Sequence, residues 1–355
     1  MMTVRPISFF SITASLIGIF ASPSLAAGPE ISVATWSGVY GNAQEAAVFK
    51  PFTRETGIGV RIDYYDGDLG GLKASGDRTW SVVDLERADL DKLCADGAIM
   101  RLDTGALLGR QAADDFVAGT VHPCGIASLI WSQAIAYDAV DAKKQKPTTL
   151  GDFFDLIRFP GKRGLSVSAV GTVEMALLAD GIPPGDVYDV LRRPGGVERA
   201  LAKLDTLGGA VTFWQGGDGP ANLIDDGTVT MSTAYAGRFL RPREGARRPV
   251  GIIFDRQLWR ATYWAIPKSS PDAATSHRFV AFATDSTRLA DLATRLWFGP
   301  ARNSGVAAVP QNVREDLPTA RRHFRNALQI DASYWREVGK EVEAVYAAWR
   351  GRQPN

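Results

Sequence analysis

Apolar positions along this chain follow two periods in turn, and each change of period marks a new element. Residues 31–36 are an apolar-rich run with the pattern of a strand, and residues 44–55 carry Ala46, Ala47, Phe49 and Phe52 near the helical period. Thr56-Gly57 stops that helix, and residues 60–65 form a second strand. A glycine-bearing turn, residues 37–41, joins the first strand to the helix. Such a strand–helix–strand unit places Trp36, Ser37 and Tyr40 at the carboxyl end of a parallel strand, where open α/β sheets bind ligands.

The alternation persists. Residues 81–85 read as a strand and 88–96 as a helix closed by Gly97, followed by a long β-rich run over 126–137. An aromatic-rich helix is expected at 152–159, a turn at 160–164 and a strand at 165–168. Helices follow at 173–180, 184–191 and 197–208, then a strand at 211–214, a short helix at 222–226 and a strand at 228–234. Residues 237–249 read as a basic loop, 252–254 and 262–267 as strands, and 277–283, 288–295 and 337–350 as helices. Strands alternating with helices give an α/β fold with a largely parallel sheet.

The first 26 residues stand apart from this pattern. One basic residue, Arg5, precedes an apolar run and then Ser24-Leu25-Ala26, the three parts of an export signal with cleavage expected after Ala26. The run is shorter than the roughly 20 residues a membrane-spanning helix needs. No cysteine lies near the cleavage site, so no lipid anchor is expected, and the mature protein is expected in the periplasm. The sequence holds 40 Lys+Arg and 39 Asp+Glu; losing Arg5 with the signal brings the balance to 39 against 39. That excludes a nucleic-acid footprint or a basic membrane tail. About 330 mature residues exceed one ordinary core, so two domains are expected. The cysteines are two, Cys94 and Cys124, and in an oxidising compartment an even count predicts a disulfide between them.

Catalytic and metal chemistry leave little trace. His122, His277 and His323 are far apart, with no metal-ligand spacing, so neither metal nor cofactor is expected. There is no P-loop, nucleophile elbow or dinucleotide fingerprint; the first turn has only G-x-x-G, in Gly38 and Gly41.

In order along the chain stand ATWSGVYG, FTRETGIGV, WSVVDLE, GAIMRLD, VHPCGIASLIWSQAIAYD, PTTLGDFFDLIRFPGKRGL, DGTVTMSTAYAGR, YWAIPKSS and FGPARNS. With these segments the sequence resembles the periplasmic substrate-binding proteins of polyamine-type (spermidine/putrescine) ABC importers across nearly its whole mature length. The resemblance implies a two-lobed (type II) periplasmic binding protein fold with a ligand cleft between the lobes. It implies lobes of residues 27–127 with 262–305, and 128–261 with 306–355, after a signal peptide of 1–26. It also implies a small-molecule ligand, an inner-membrane permease as partner and a monomeric receptor.

Matched residue by residue, the resemblance puts Trp36, Ser37 and Tyr40 in the cleft-lining loop, and Asp84 and Glu86 after a strand ending at the cleft floor. Trp131 lies in the crossing segment, Glu174 at a helix start, Tyr235 before Gly237-Arg238, and Trp259 at an aromatic wall. Aromatic faces attract a desolvated ammonium by roughly 0.5–2 kcal/mol each, and carboxylates fix it by charge-assisted hydrogen bonds. One departure matters. Polyamine binders carry an acid just after that wall, whereas this chain has Arg260. The ligand that the resemblance implies is a small amine such as putrescine or spermidine. If Arg260 faces the cleft, a ligand with one amine and one carboxylate, a zwitterionic ω-amino acid, fits better than a diamine; if it faces solvent, the ligand's far end is simply neutral.

Other readings of the same residues stand beside these. Asp84 is placed to cap the following helix, Glu86 and Asp89 to be solvated first-turn acids, and Arg238 either to bind a ligand carboxylate or to pair with a structural one. The basic stretch 241–248 reads as solvated surface. An anion or ferric receptor is suggested by Tyr64-Tyr65, though strand alternation sends neighbouring rings to opposite faces. An enzyme on the same scaffold ranks last, since a bridged cysteine pair is no nucleophile.

Overall fold

The computed structural model describes residues 28–67, 69, 79–140, 145–241 and 245–353; the expected signal segment lies outside them. Ten strands among the described residues form one continuous sheet. They are β1 (Glu30–Thr35), β2 (Gly59–Tyr64), β3 (Val82–Glu86), β4 (Ile126–Asp138), β5 (Arg163–Ser166), β6 (Val211–Trp214), β7 (Met231–Tyr235), β8 (Val250–Ala265), β9 (Gly299–Pro300) and β10 (Leu328–Gln329). The path is β2-β1-β3-β8-β4-β7-β5-β6, with β10 on β8 and β9 on β4. β1 pairs parallel with β2 and β3, and β5 pairs parallel with β6 and β7; β4 and β8 run antiparallel to each other through the middle.

Those two long strands hold the molecule together because they belong to two cores. Ile126–Ile130 of β4 and Trp259–Ala265 of β8 pack with β1, β3 and the rings of Phe49, Phe52 and Phe279. Ile135 and Tyr137, with Ile253 and Leu258, pack instead with Val173, Leu204 and the C-terminal helix Ala332–Arg350 through Tyr346 and Trp349. The chain therefore passes between cores near Trp131–Ala134 and returns near Leu258-Trp259. The β4–β8 register slips on both sides of the first passage, between Ala127 and Ile130 and between Gln133 and Ile135. Such slips bend a strand and raise its twist, which lets one sheet serve two lobes. Residues Val309, Val313 and Leu317 pack on the helix Ser286–Leu296, beside the first core.

Three sequence expectations change here. The turn expected over 37–41 is already helix: Gly38–Gln44 runs through a π-helical stretch, Glu45–Phe49, into Lys50–Thr56. Glycine is required at two points of its first turn. Gly38 has φ +71°, and a Cβ on Gly41 would stand 2.5 Å from the Trp36 carbonyl oxygen. The two strands expected at 252–254 and 262–267 are one, because Asp255 and the Gln257 amide nitrogen find hydrogen-bond partners within the fold. Asp255 accepts from the Leu150 amide and Asn326, and Gln257 donates to the carbonyls of Pro318 and His323.

The helix expected at 152–159 is instead a single 3-10 turn, Leu150–Phe153, followed by turns gathered around Arg163. This guanidinium is fully buried and donates to the carbonyls of Phe153 (2.6 Å), Gly161 (2.8 Å) and Phe159 (2.5 Å). Burial lowers its pKa to about 10. Arg163→Met should orphan these carbonyls and cost about 3 kcal/mol or more, read as a lower urea midpoint.

Candidate functional site

Between the two cores, at the carboxyl ends of β1, β3 and β7, lies a cavity of about 390 Å³. The first lobe contributes Trp36 and Ser37 from the end of β1, Val39 and Tyr40 from the following helix, and Asp66 from the turn after β2. Glu86 closes β3, Thr262 comes from β8, and Leu296 and Phe298 come from the end of the helix Ser286–Leu296. The second lobe contributes Gly217, Tyr235 at the end of β7, and Gly237, Arg238 and Arg241 just beyond it. Trp131, on β4 where the chain passes between lobes, lies between the walls.

Each wall is braced from behind. Trp36 packs on Tyr65 with ring centroids 5.3 Å apart, and the Ser37 amide donates to Asp66 Oδ1 at 2.9 Å. The Tyr40 hydroxyl donates to Asp84 Oδ2 at 2.8 Å and lies 3.2 Å from Thr262 Oγ1. Tyr235 stands edge-on to Trp131 and to Trp214, at 5.5 and 5.9 Å. Directly opposite Trp131 in the β4–β8 ladder is Arg260, whose Cζ lies 5.2 Å from the Trp131 ring centroid and whose Nη1 is 3.3 Å from Glu86 Oε2.

Charge is divided between the walls. The carboxylates Asp66 and Glu86 belong to the first lobe, and the guanidiniums Arg238 and Arg241 to the second. Arg238 also pairs with the exposed Asp218 at 3.1 Å. Burial and the neighbouring Arg238 lower the pKa of Arg241. Burial is the main cause that raises the Tyr235 phenol, so the ring stays neutral.

Of the residues singled out in the sequence, Trp36, Ser37, Tyr40, Glu86, Trp131, Tyr235 and Arg238 line this cavity. Asp84 and Arg260 stand one side chain behind it. Two lie elsewhere, which corrects the sequence reading. Trp259 is 5% exposed and packs on Phe324 with centroids 5.3 Å apart. The reason is parity: Thr262 faces the cavity and Arg260 the Trp131 ring, so the odd-numbered Trp259 points to the other face of β8. Glu174 is fully buried in the second core. It accepts from the Gly171 amide, the Tyr188 hydroxyl and Trp335 Nε1, and burial raises its pKa. It caps its own helix and anchors the C-terminal one.

Residues the sequence reading missed include Asp66, Arg241, Thr262 and Phe298. Asp66 follows a parallel strand adjacent to β1, and that placement was the available signal. The basic stretch 241–248 is solvated only in part: Arg247 and Arg248 pair with Asp226 and Asp138, while Arg241 turns inward. The tyrosine pair separates as alternation requires. Tyr64 is exposed, whereas Tyr65 is buried and donates to the Asp84 carbonyl oxygen. Among the described residues no group of three or more His, Cys, Asp or Glu side chains is placed to hold a metal ion. Cys94 and Cys124 form a disulfide, with Cα atoms 5.9 Å apart, tying the helix Arg87–Ala95 to the stretch before β4.

The family model of the bacterial extracellular solute-binding proteins matches residues 47–318. The chain belongs to that family. It is a substrate-binding protein of the kind that serves ABC importers, built to take a small-molecule ligand. A γ-aminobutyric acid-binding protein of Pseudomonas aeruginosa is 37% identical over 343 residues, covering 95% of this chain and 96% of that protein. Among solved structures, an ABC transporter substrate-binding protein from Bradyrhizobium japonicum is 26% identical, with a TM-score of 0.78, covering 90% of this chain and 99% of its own. A solved GABA receptor is 27% identical, with a TM-score of 0.76 and coverage of 92% and 99%. A spermidine/putrescine-binding protein from Streptococcus pneumoniae shares the fold, with a TM-score of 0.75 at 13% identity and coverage of 91% and 99%.

Proposed function

We propose that this protein is the periplasmic receptor of an ABC importer for a short ω-amino acid of the 4-aminobutyrate class. The observation that carries the reading is the division of charge across the cavity, carboxylates on one wall and guanidiniums on the other. A ligand with an ammonium at one end and a carboxylate at the other satisfies both walls. A diamine would set its second ammonium against Arg238 and Arg241, and like charges in a desolvated site repel. The polyamine reading therefore gives way to the zwitterion, in line with the relative that is named for γ-aminobutyric acid.

In this reading Glu86, Trp36 and Tyr40 receive the ammonium, and Arg238 and Arg241 the carboxylate. Trp131 and Tyr235 form the apolar span between them. Closure about β4 and β8 brings the two walls onto the ligand, and the closed receptor, a monomer released from its signal after Ala26, engages an inner-membrane permease. In this reading the ligand is handed over unchanged.

Calorimetric titration tests this with 4-aminobutyrate, 5-aminovalerate, putrescine and spermidine. The two ω-amino acids should bind more tightly than either amine. A tighter complex with putrescine would restore the diamine reading.

A further inference from the structure

Behind the Tyr40 wall lies a carboxylate with no exposure, Asp84 in β3. Its Oδ2 accepts from the Tyr40 hydroxyl (2.8 Å), Gln44 Nε2 (2.7 Å) and Thr35 Oγ1 (3.3 Å); its Oδ1 is buried with no hydrogen-bond partner. The elements around it are β1 through Thr35, the helix Gly38–Gln44 through Tyr40 and Gln44, and β8 through Trp264, its partner in register. The stretch after β2 adds Tyr65. None of these side chains is a cation. The charged group that bears on Asp84 is another carboxylate, Glu86, and Asp66 and Asp89 lie around Tyr65. The guanidinium on this side, Arg260, is paired with Glu86. A buried carboxylate without a counter-cation costs the fold stability, and such sites cluster where function requires them.

We propose that Asp84 is a positioning residue for the ligand's ammonium group, fixing the Tyr40 ring at the cavity wall and supplying, one hydrogen bond behind it, the negative charge that compensates the bound cation. This rests on the reading of the ligand as an amine-bearing molecule. Burial, helped by the nearby Glu86 charge and opposed by the hydrogen bonds from Tyr40, Gln44 and Thr35, pushes the Asp84 carboxyl up to about 7. A cation at Tyr40 favours the ionised form and lowers that value. Binding at neutral pH therefore releases a proton, and affinity climbs with pH through this range and levels off above it.

Calorimetric titration of 4-aminobutyrate and, separately, putrescine, each in two buffers of different ionisation heat, counts the proton. The wild-type protein should release a fraction of a proton near neutral pH and bind about tenfold more weakly at about pH 6 than at about pH 8. Asp84→Asn should bind more weakly at the higher pH, with no proton release and a flat profile. Tyr40→Phe keeps the ring but cuts the link to Asp84, and it should lose most of the proton release; with the wild-type count, it decides the matter if Asp84→Asn does not fold. Binding without proton release, at an affinity Asp84→Asn leaves unchanged, would overturn the role of Asp84 and leave the amine reading intact. No binding of either amine by folded wild-type protein would overturn the amine reading and this proposal with it.

Discussion

Replacing Arg238 and Arg241 together by glutamine should weaken 4-aminobutyrate binding by about a hundredfold or more, because each charge-assisted hydrogen bond to a carboxylate contributes about 1.5–3 kcal/mol. Putrescine binding should hold or improve in the same variant, since two like charges have left the wall its second amine must face. Both side chains lie at the cavity, and Arg238 is already half-committed to the exposed Asp218. Arg241, half-buried beside Arg238, is expected to account for the larger part of the loss when each is changed singly. Isothermal titration of both ligands against the three variants measures this, and melting temperature without ligand should stay within about a degree or two because neither residue packs in a core. An equal loss for both ligands would mean that the arginines shape the wall without meeting a carboxylate.

Cys94→Ser with Cys124→Ser should lower stability by roughly 3–4 kcal/mol, the loop-closure contribution of a bridge whose cysteines are 30 residues apart. The loop it closes holds the helix Arg87–Ala95 and the approach to β4, with Cys124 itself in the first core. Loss of the bridge should therefore shift the first lobe's denaturant midpoint before the second's, read by urea unfolding followed with fluorescence in the presence and absence of reductant. The affinity of the folded fraction should change little, because the disulfide does not line the cavity. A reductant-insensitive midpoint would show that the packing of Leu90 and Leu93 already fixes the helix.

How far the site could be read from residues alone depended on which physical signal carried each part. Trp36, Ser37 and Tyr40 were legible because a strand followed by a glycine turn and an amphipathic helix dictates where its carboxyl end points. Tyr235 and Arg238, at the end of β7, came instead from the resemblance to the substrate-binding proteins. Trp259 is expected at the cavity wall and the direction of Arg260 stays open in the sequence, because the polar stretch 255–257 hides the continuity of β8. With the strand divided, the face to which each residue points was undetermined, and a one-residue change of parity exchanges cavity and core. Glu174 looked like a ligand carboxylate because sequence shows an acid at a helix start but not the Tyr188 and Trp335 side chains that close over it.

By itself the sequence determined the alternation of strand and helix, the pairing of its two cysteines and the aromatic character of the first wall. These follow from local period, chain order and composition, which act over a few residues or over the chain as a whole. Only the tertiary structure decided that Asp66 and Glu86 face Arg238 and Arg241 across one cavity, that Arg260 is spent on Glu86 and Trp131, and that Asp84 sits behind Tyr40 without a cation. Each of those is a meeting of residues from separate elements, set by the register of the sheet and by the bend where the chain passes between cores. Register over such separations is fixed by the packing of both lobes at once, so no local stretch of the sequence contains it.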